Sequence, residues 1–260
     1  RTLAATLRPY QDDAVSSALV LRDGVVVAPT GSGKTVIAMG IVARLGVRTL
    51  LVVHTSMLME QMKAAVASHL GVVPGQIGGG KDDIRDVTVA TVQTLMRRDD
   101  PELFSRWGLV VLDEAHHCPA ATFTDVVQRM HARHRVGLTA TPYRADKMHP
   151  ILFHTIGPIV YRVRPTEMVQ VGAILAPEVF PVETAFRGGR GGDRPAMVTR
   201  LCEDNERNGV IIETLLSAHR THSLILSERV DHCVSLVEAL RERVKLGGGG
   251  AAEEKLLEGG

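Results

Sequence analysis

Short apolar runs alternate along this chain with longer stretches in which apolar residues recur every three or four positions. The runs fall at residues 24–28, 49–54, 87–90, 109–112 and 136–140 and are rich in Val, Leu and Thr. The stretches between them include 35–45, 57–70 and 123–132. Continuous apolar runs predict strands buried on both faces, and the longer periodicity between them predicts covering helices. The pattern therefore predicts an α/β fold with a doubly wound parallel sheet. Residues 159–163 and 174–182 read as extended and as leading out of that domain. Beyond them, 196–219 reads as helix, 223–226 as strand and 231–244 as helix, a second α/β unit that has only begun. One strand and two or three helices are too few to bury a comparable core. The expected division is a first domain at 1–172, an extended linker at 173–195, and the opening part of a second domain at 196–260.

Composition narrows the class more than the activity. No apolar run approaches the ~20 residues that span a bilayer, and the opening RTLAATLRPYQ has neither a signal-like apolar core nor an initiator Met. Cys118, Cys202 and Cys233 stand singly, without a zinc-type pair, as reduced thiols do in a reducing compartment. A cytoplasmic protein with no membrane partner, or a piece of one, is expected. The formal net charge is +1, which neither supports nor excludes a nucleic-acid partner, because a basic groove can hide in a neutral total. With five Phe, three Tyr and one Trp in the chain, any grip on nucleic acid must rest on backbone contacts more than on base stacking. The stretch RGGRGGDRP at 187–195 has the composition of a short Arg-Gly RNA-binding tail, but a single copy fits a surface loop better.

Two motifs carry chemistry. The first is Ala28-Pro29-Thr30-Gly31-Ser32-Gly33-Lys34-Thr35, placed between an expected strand and an expected helix. Glycines there let the backbone wrap a polyphosphate with its N–H groups pointing inward at a helix N-terminus. Lys34 would sit between the β- and γ-phosphates, and the Thr35 hydroxyl would reach Mg²⁺. Ala28 stands where the strict pattern has glycine. The second motif, Val110-Val111-Leu112-Asp113-Glu114-Ala115-His116, ends an apolar strand in two acids, at the sheet edge where α/β sites form. Asp113 would hold Mg²⁺ and Glu114 would polarise an attacking water. An isolated Asp-Glu pair is usually a solvated strand end. Zinc held by Glu114, His116, His117 and Cys118 is a poor reading, since zinc ligands usually come from separate segments. Together with the phosphate loop, nucleotide hydrolysis accounts for the pair better.

With both motifs in place the sequence resembles superfamily 2 helicases and translocases of the DEAD/DEAH-box kind, in the branch of XPB-type helicases and restriction-enzyme R subunits. Leu7-Arg8-Pro9-Tyr10-Gln11 resembles that family's adenine-reading motif; taken alone it is a helix entry with Pro in the first turn. His54-Thr55 and Ala90-Thr91-Val92-Gln93-Thr94 stand at motifs Ia and Ib, and Gly137-Leu138-Thr139-Ala140-Thr141-Pro142 resembles motif III. Residues 221–240 resemble motif IV, where a second RecA-like domain begins. The resemblance implies a RecA-like, P-loop NTPase fold with ATP and Mg²⁺ as cofactors. It implies an ATP site of Arg8, Gln11, Thr30, Gly31, Ser32, Gly33, Lys34 and Thr35, with Thr35 and Asp113 toward the metal. Lys34, Asp113 and Glu114 are then the catalytic set, and His116, Thr139 and Thr141 couple hydrolysis to movement. Thr55, Thr91 and Thr94 become nucleic-acid contacts, with helix N-caps as the competing and compatible reading.

Motifs V and VI, the second of which supplies the family's arginine finger, are not found in the chain. The expected function is an ATP-driven helicase or translocase acting on nucleic acid, DNA by the resemblance and RNA left open. The chain alone is expected to turn ATP over weakly and to be part of a longer motor. One alternative is a double-strand DNA translocase serving a nuclease partner in a restriction or defence complex. The other is an ATP-dependent nucleic-acid-binding module that does not hydrolyse. Small kinases with phosphate loops lack motif III and the upstream Gln.

Overall fold

The computed structural model describes residues 2–113, 120–140, 155–188, 193–218 and 222–246. The chain divides into two compact units, Arg1–Pro177 and Glu178–Gly260, so the division falls inside the segment expected as a linker.

In the first unit, each expected strand is present. They are β1 (Asp23–Val27), β2 (Thr49–Val53), β5 (Val87–Thr91), β6 (Leu109–Asp113) and β7 (His134–Thr139), joined by β3 (Gly75–Gly78), β4 (Lys81–Asp83) and β8 (Ile159–Arg162). They form one sheet in the order β4-β3-β5-β2-β6-β7-β1-β8. Every ladder is parallel except β3 with β4. The fold is thus the expected RecA-like α/β arrangement. Helices α1 (Pro9–Val20), α2 (Lys34–Leu45) and α3 (Ser56–Leu70) occur in its first half. The short α4 (Val92–Met96) and α5 (Pro101–Ser105), then α6 (Ala120–Gln128) and α7 (Pro165–Gln170), follow.

Alternation along the strands explains why continuous apolar runs were needed. Val26, Leu51, Val53 and Val111 enter one apolar cluster with Ala14 and Val15 of α1, Ile37 and Ile41 of α2 and Met59 of α3. Their chain neighbours Val25, Val27, Leu50, Val52 and Val110 enter the other, with Leu95, Leu103, Phe104 and Val126 from α4, α5 and α6. Successive strand residues point to opposite faces, so a sheet covered on both must be apolar at every position.

The structure corrects three expectations. Residues 159–163 do not lead out of the domain. Ile159–Arg162 is the edge strand β8, parallel to β1, and Val163 N–H closes the ladder on the Val27 carbonyl at 2.9 Å. The helix expected at 196–219 is two helices, α8 (Arg194–Glu203) and α9 (Asn205–Ser217). The break is Asp204, extended (φ −72°, ψ 101°), whose carboxylate accepts from Arg207 N–H at 2.7 Å and caps α9. Residues 223–226 form no strand, and Leu224 and Leu226 are each 83% exposed. A strand exists by its ladder, and the described residues of the second unit hold only the helices α8, α9 and α10 (Val230–Leu246). Residues 174–182, expected as extended and as leading out of the domain, have no ladder, and the first unit ends within them at Pro177. Within the second unit α9 packs with α10, burying Ile212 and Leu236. His232 lies between Ser227 Oγ and Asn208 Oδ1, 2.9 Å from each.

Candidate nucleotide site

Parallel strands bring their carboxyl ends to one edge, and the predicted residues gather there for that reason. β1 ends at Val27 and the phosphate loop follows at once. Val27 pairs with Thr139, and Asp113 pairs with Leu138 one strand further. Ala28 N–H donates to the Thr139 carbonyl at 2.8 Å, so the first residue of the phosphate loop is fastened to the motif III strand. Lys34 and Thr35 open α2 directly after Gly33. The structure thus brings together Lys34, Thr35, Asp113 and Thr139.

The loop's shape depends on its glycines. Gly31 (φ +81°) and Gly33 (φ +78°) occupy the left-handed region that side chains rarely enter. A Cβ at Gly33 would also stand 2.6 Å from Gln11 Nε2. Lys34 Nζ reaches back to the Ala28 carbonyl at 3.4 Å, curling over the loop as a phosphate-binding ammonium would. Ser32 is fully buried and Thr30 exposed.

Gln11 lies under the loop, 4% exposed. Its Oε1 accepts from Arg8 N–H at 2.9 Å, and its Nε2 donates to the Ser32 carbonyl at 2.8 Å. The Tyr10 hydroxyl donates to the same carbonyl at 3.1 Å, and Arg8 Nη1 donates to the Tyr10 oxygen at 3.2 Å. Each Gln11 amide atom keeps a second hydrogen-bonding valence. Sequence reasoning chose Gln11 and Arg8 and missed Tyr10. Its signal was its place inside LRPYQ, beside the residue chosen.

Magnesium fits the donors present. Thr35 offers a hydroxyl in the first turn of α2 and Asp113 a carboxylate at the end of β6, both hard oxygen ligands. Among the described residues no three His, Cys, Asp or Glu side chains converge into a cage. A Thr35–Asp113 pair suits a cation that keeps phosphate and water in its shell, as Mg²⁺ does.

The three nucleic-acid candidates also lie at this edge, where β2 and β5 end. Thr55 is the N-cap of α3, its Oγ1 accepting from Leu58 N–H at 3.2 Å. For the other two no side chain caps a helix, although Thr91 stands at the N-cap position of α4. Thr94 is inside α4, and the two hydroxyls bond each other at 2.8 Å. Sequence reasoning missed Gln93, whose Nε2 donates to the His54 carbonyl at 2.8 Å and ties the motif Ia segment to motif Ib. Glu114, His116 and Thr141 lie outside the described residues, as do His117 and Cys118 of the zinc reading.

A phosphate-type loop on a RecA-like parallel sheet defines the class, a P-loop α/β nucleotide-binding domain. Within that class the chain belongs to the family described as "Type III restriction enzyme, res subunit", whose model matches residues 4–144. It is similar to the DNA 3'-5' translocase XPB2 of Sulfurisphaera tokodaii, 41% identical over 156 residues that cover 60% of this chain and 35% of that protein. It is also similar to the DNA 3'-5' helicase XPB of Mycobacterium tuberculosis, 28% identical over 266 residues covering 96% of this chain and 48% of the relative. The chain thus spans between a third and a half of these relatives. Two solved structures share the fold: UvsW of T4, with a TM-score of 0.55 and 18% identity over 93% of this chain and 51% of that one, and the Hef helicase domain of Pyrococcus furiosus, with a TM-score of 0.55 and 19% identity over 99% and 58%. Among the described residues no helix is long and apolar enough to cross a membrane.

Proposed function

We propose that this chain is the ATP-binding part of a nucleic-acid motor, a helicase or translocase that acts on DNA. The observation that carries the reading is the shared carboxyl edge. The Ala28–Thr139 hydrogen bond joins the phosphate loop to motif III, and Thr55, Thr91 and Thr94 lie where the neighbouring strands β2 and β5 of the same sheet end. DNA is favoured because the relatives are named as DNA helicases and translocases.

In this reading Gln11 reads adenine while holding Ser32, and the loop amides and Lys34 bind the phosphates. Thr35 and Asp113 hold Mg²⁺, which when bound neutralises charge on the phosphate oxygens. Glu114 orients the attacking water, and His116, Thr139 and Thr141 pass the change at the γ-phosphate toward the nucleic-acid contacts. Residues 1–177 act as the nucleotide domain and the second unit as the opening of its partner domain.

Equilibrium titration with a fluorescent ATP analogue and Mg²⁺ tests the reading. Lys34→Ala removes a charge-assisted contact worth about 1.5–3 kcal/mol. Affinity is expected to fall roughly ten- to hundredfold with an unchanged circular dichroism spectrum. A folded wild-type protein with no affinity for the analogue, or a folded Lys34→Ala protein with undiminished affinity, would sink it.

A further inference from the structure

The phosphate loop is held on two sides, and only one side belongs to a motif. Beneath it, Tyr10 and Gln11 converge on the Ser32 carbonyl. Against Gly31 lies the chain that follows β8. A Cβ placed on Gly31 would stand 3.2 Å from Ile174 Cγ2 and 3.9 Å from Met168 Cε, so both side chains rest on the bare glycine backbone.

The local sequence explains why they do. Val163 N–H bonds the Val27 carbonyl, which delivers the chain to the sheet edge one residue before the loop begins. Pro165 opens α7, and Met168 on that helix is fully buried in the apolar cluster shared with α1 and α2. Gly172 (φ +65°) reverses the chain, and Ala173 N–H returns to the Met168 carbonyl at 2.8 Å. That closed turn points Ile174, half-buried, back at Gly31. On the same side Tyr161 packs against the apolar cluster of α1 and α2, and its burial, with Glu167 and Asp13 beside it, raises its hydroxyl pKa.

We propose that Ile174, backed by Met168, is a positioning residue of the phosphate loop: it holds the loop in its binding turn and ties nucleotide affinity to the segment by which the chain leaves the first unit. A glycine-rich loop has many conformations to lose, and a ligand binds more weakly by whatever fraction of time the loop is misshapen. An apolar contact on Gly31 lowers that loss before the nucleotide arrives. Ile174 stands three residues before Pro177, where the unit ends, so strain on the departing chain reaches the loop through this contact. The inference rests on the nucleotide reading above for its consequence and on packing alone for the brace itself.

Ile174→Ala and Ile174→Val are compared with wild type by two measurements. Hydrogen exchange of the amides at 30–34 in nucleotide-free protein reads the brace, and titration with the fluorescent ATP analogue and Mg²⁺ reads its effect. Ile174→Ala is expected to exchange faster in the loop and to bind about three- to tenfold more weakly, a loss of up to about 1.4 kcal/mol. Ile174→Val is expected to restore most of both, with exchange in β1, β2 and β6 unchanged throughout. Unaltered loop exchange in Ile174→Ala overturns the brace. Faster exchange with undiminished affinity overturns the positioning role, and equal loss of protection in the core strands reduces Ile174 to ordinary packing. A wild-type protein that binds no nucleotide overturns the proposed function instead, and the exchange comparison alone then decides the brace.

Discussion

At the carboxyl ends of β1, β6 and β7 the chain leaves the sheet into a phosphate-type loop, an acidic pair and motif III. At the amino ends of the same strands it is tied down by charge. Asp23 accepts from Arg135 N–H at 3.0 Å and from its guanidinium at 3.3 and 2.7 Å, while Arg135 N–H also reaches the Arg22 carbonyl. His134 N–H bonds the Gly108 carbonyl, and Arg48 pairs with Asp86 at 3.5 Å where β2 and β5 begin. One edge spends its backbone groups on itself, and the other holds them in loops that can meet a ligand. The comparison predicts that substitutions at the two edges fail differently.

The largest effect expected on stability is at Asp23. Asp23→Ala unpairs the half-buried Arg135 guanidinium, while the Arg135 N–H keeps the Arg22 carbonyl, at a cost of about 1.5–3 kcal/mol. Thermal melting should show the loss while the folded fraction binds the ATP analogue as wild type does, the reverse of Lys34→Ala. A marked loss of affinity per folded molecule in Asp23→Ala would break the contrast between the edges.

Thr55 sharpens the comparison because it has a structural and a proposed functional role at one position. Thr55→Ala removes the α3 cap and should cost about 1 kcal/mol while weakening binding of a fluorescent oligonucleotide. Thr55→Asp keeps the cap but sets a negative charge where a phosphate would lie. Melting near the wild-type temperature with weakened anisotropy-monitored binding is expected, and full binding by Thr55→Asp would remove Thr55 from the nucleic-acid contacts.

The smallest effect belongs to His134 at the amino edge. Burial first, then the Arg133 and Arg22 guanidinium groups, hold its pKa below the ordinary 6.5, and only Asp23 opposes them. The folded chain therefore takes up this proton at lower pH than the unfolded chain. The stabilisation is complete above pH 6.5 and fades as pH falls from there through the folded-state value. His134→Gln should flatten that part of the stability–pH curve measured by denaturant titration. His232, lowered by burial and by Arg207, contributes with the same sign, so an unchanged slope in His134→Gln combined with His232→Gln would contradict both.

What the sequence revealed and what it hid follow from the range of the interactions. The five central strands were readable because burial on both faces forces an unbroken apolar run such as Leu50–Val53. β8 was misread because its sole described ladder partner, β1, lies more than 130 residues earlier, and nothing in IVYRV marks that pairing. β3 and β4 were missed because Gly75-Gln76-Ile77-Gly78 and Lys81-Asp82-Asp83 have neither apolar alternation nor β-branched residues enough to show a strand. The break at Asp204 was a signal passed over, since Asp is a preferred N-cap and Glu206 sets an acid in the first turn that follows. At the site, the residues within each motif were legible from spacing. The contacts between separate segments, such as Gln93 to His54 and Ile174 to Gly31, depend on three-dimensional neighbours that no spacing encodes.

The β3–β4 hairpin bears on how this protein behaves when concentrated. An exposed sheet edge is a template on which a second copy can add a strand. Here that end of the sheet is occupied by a three-residue antiparallel strand, all of it charged and exposed. Arg85 and Arg98 pair with Asp83 and Asp82, so an incoming strand would have to displace solvated ion pairs to find few backbone groups. The opposite end finishes in β8, where Ile159 is 36% exposed. Among the described strands, self-association strand by strand is therefore closed at the end held by Lys81-Asp82-Asp83, which leaves β8 as the end from which a fibre through this sheet would grow.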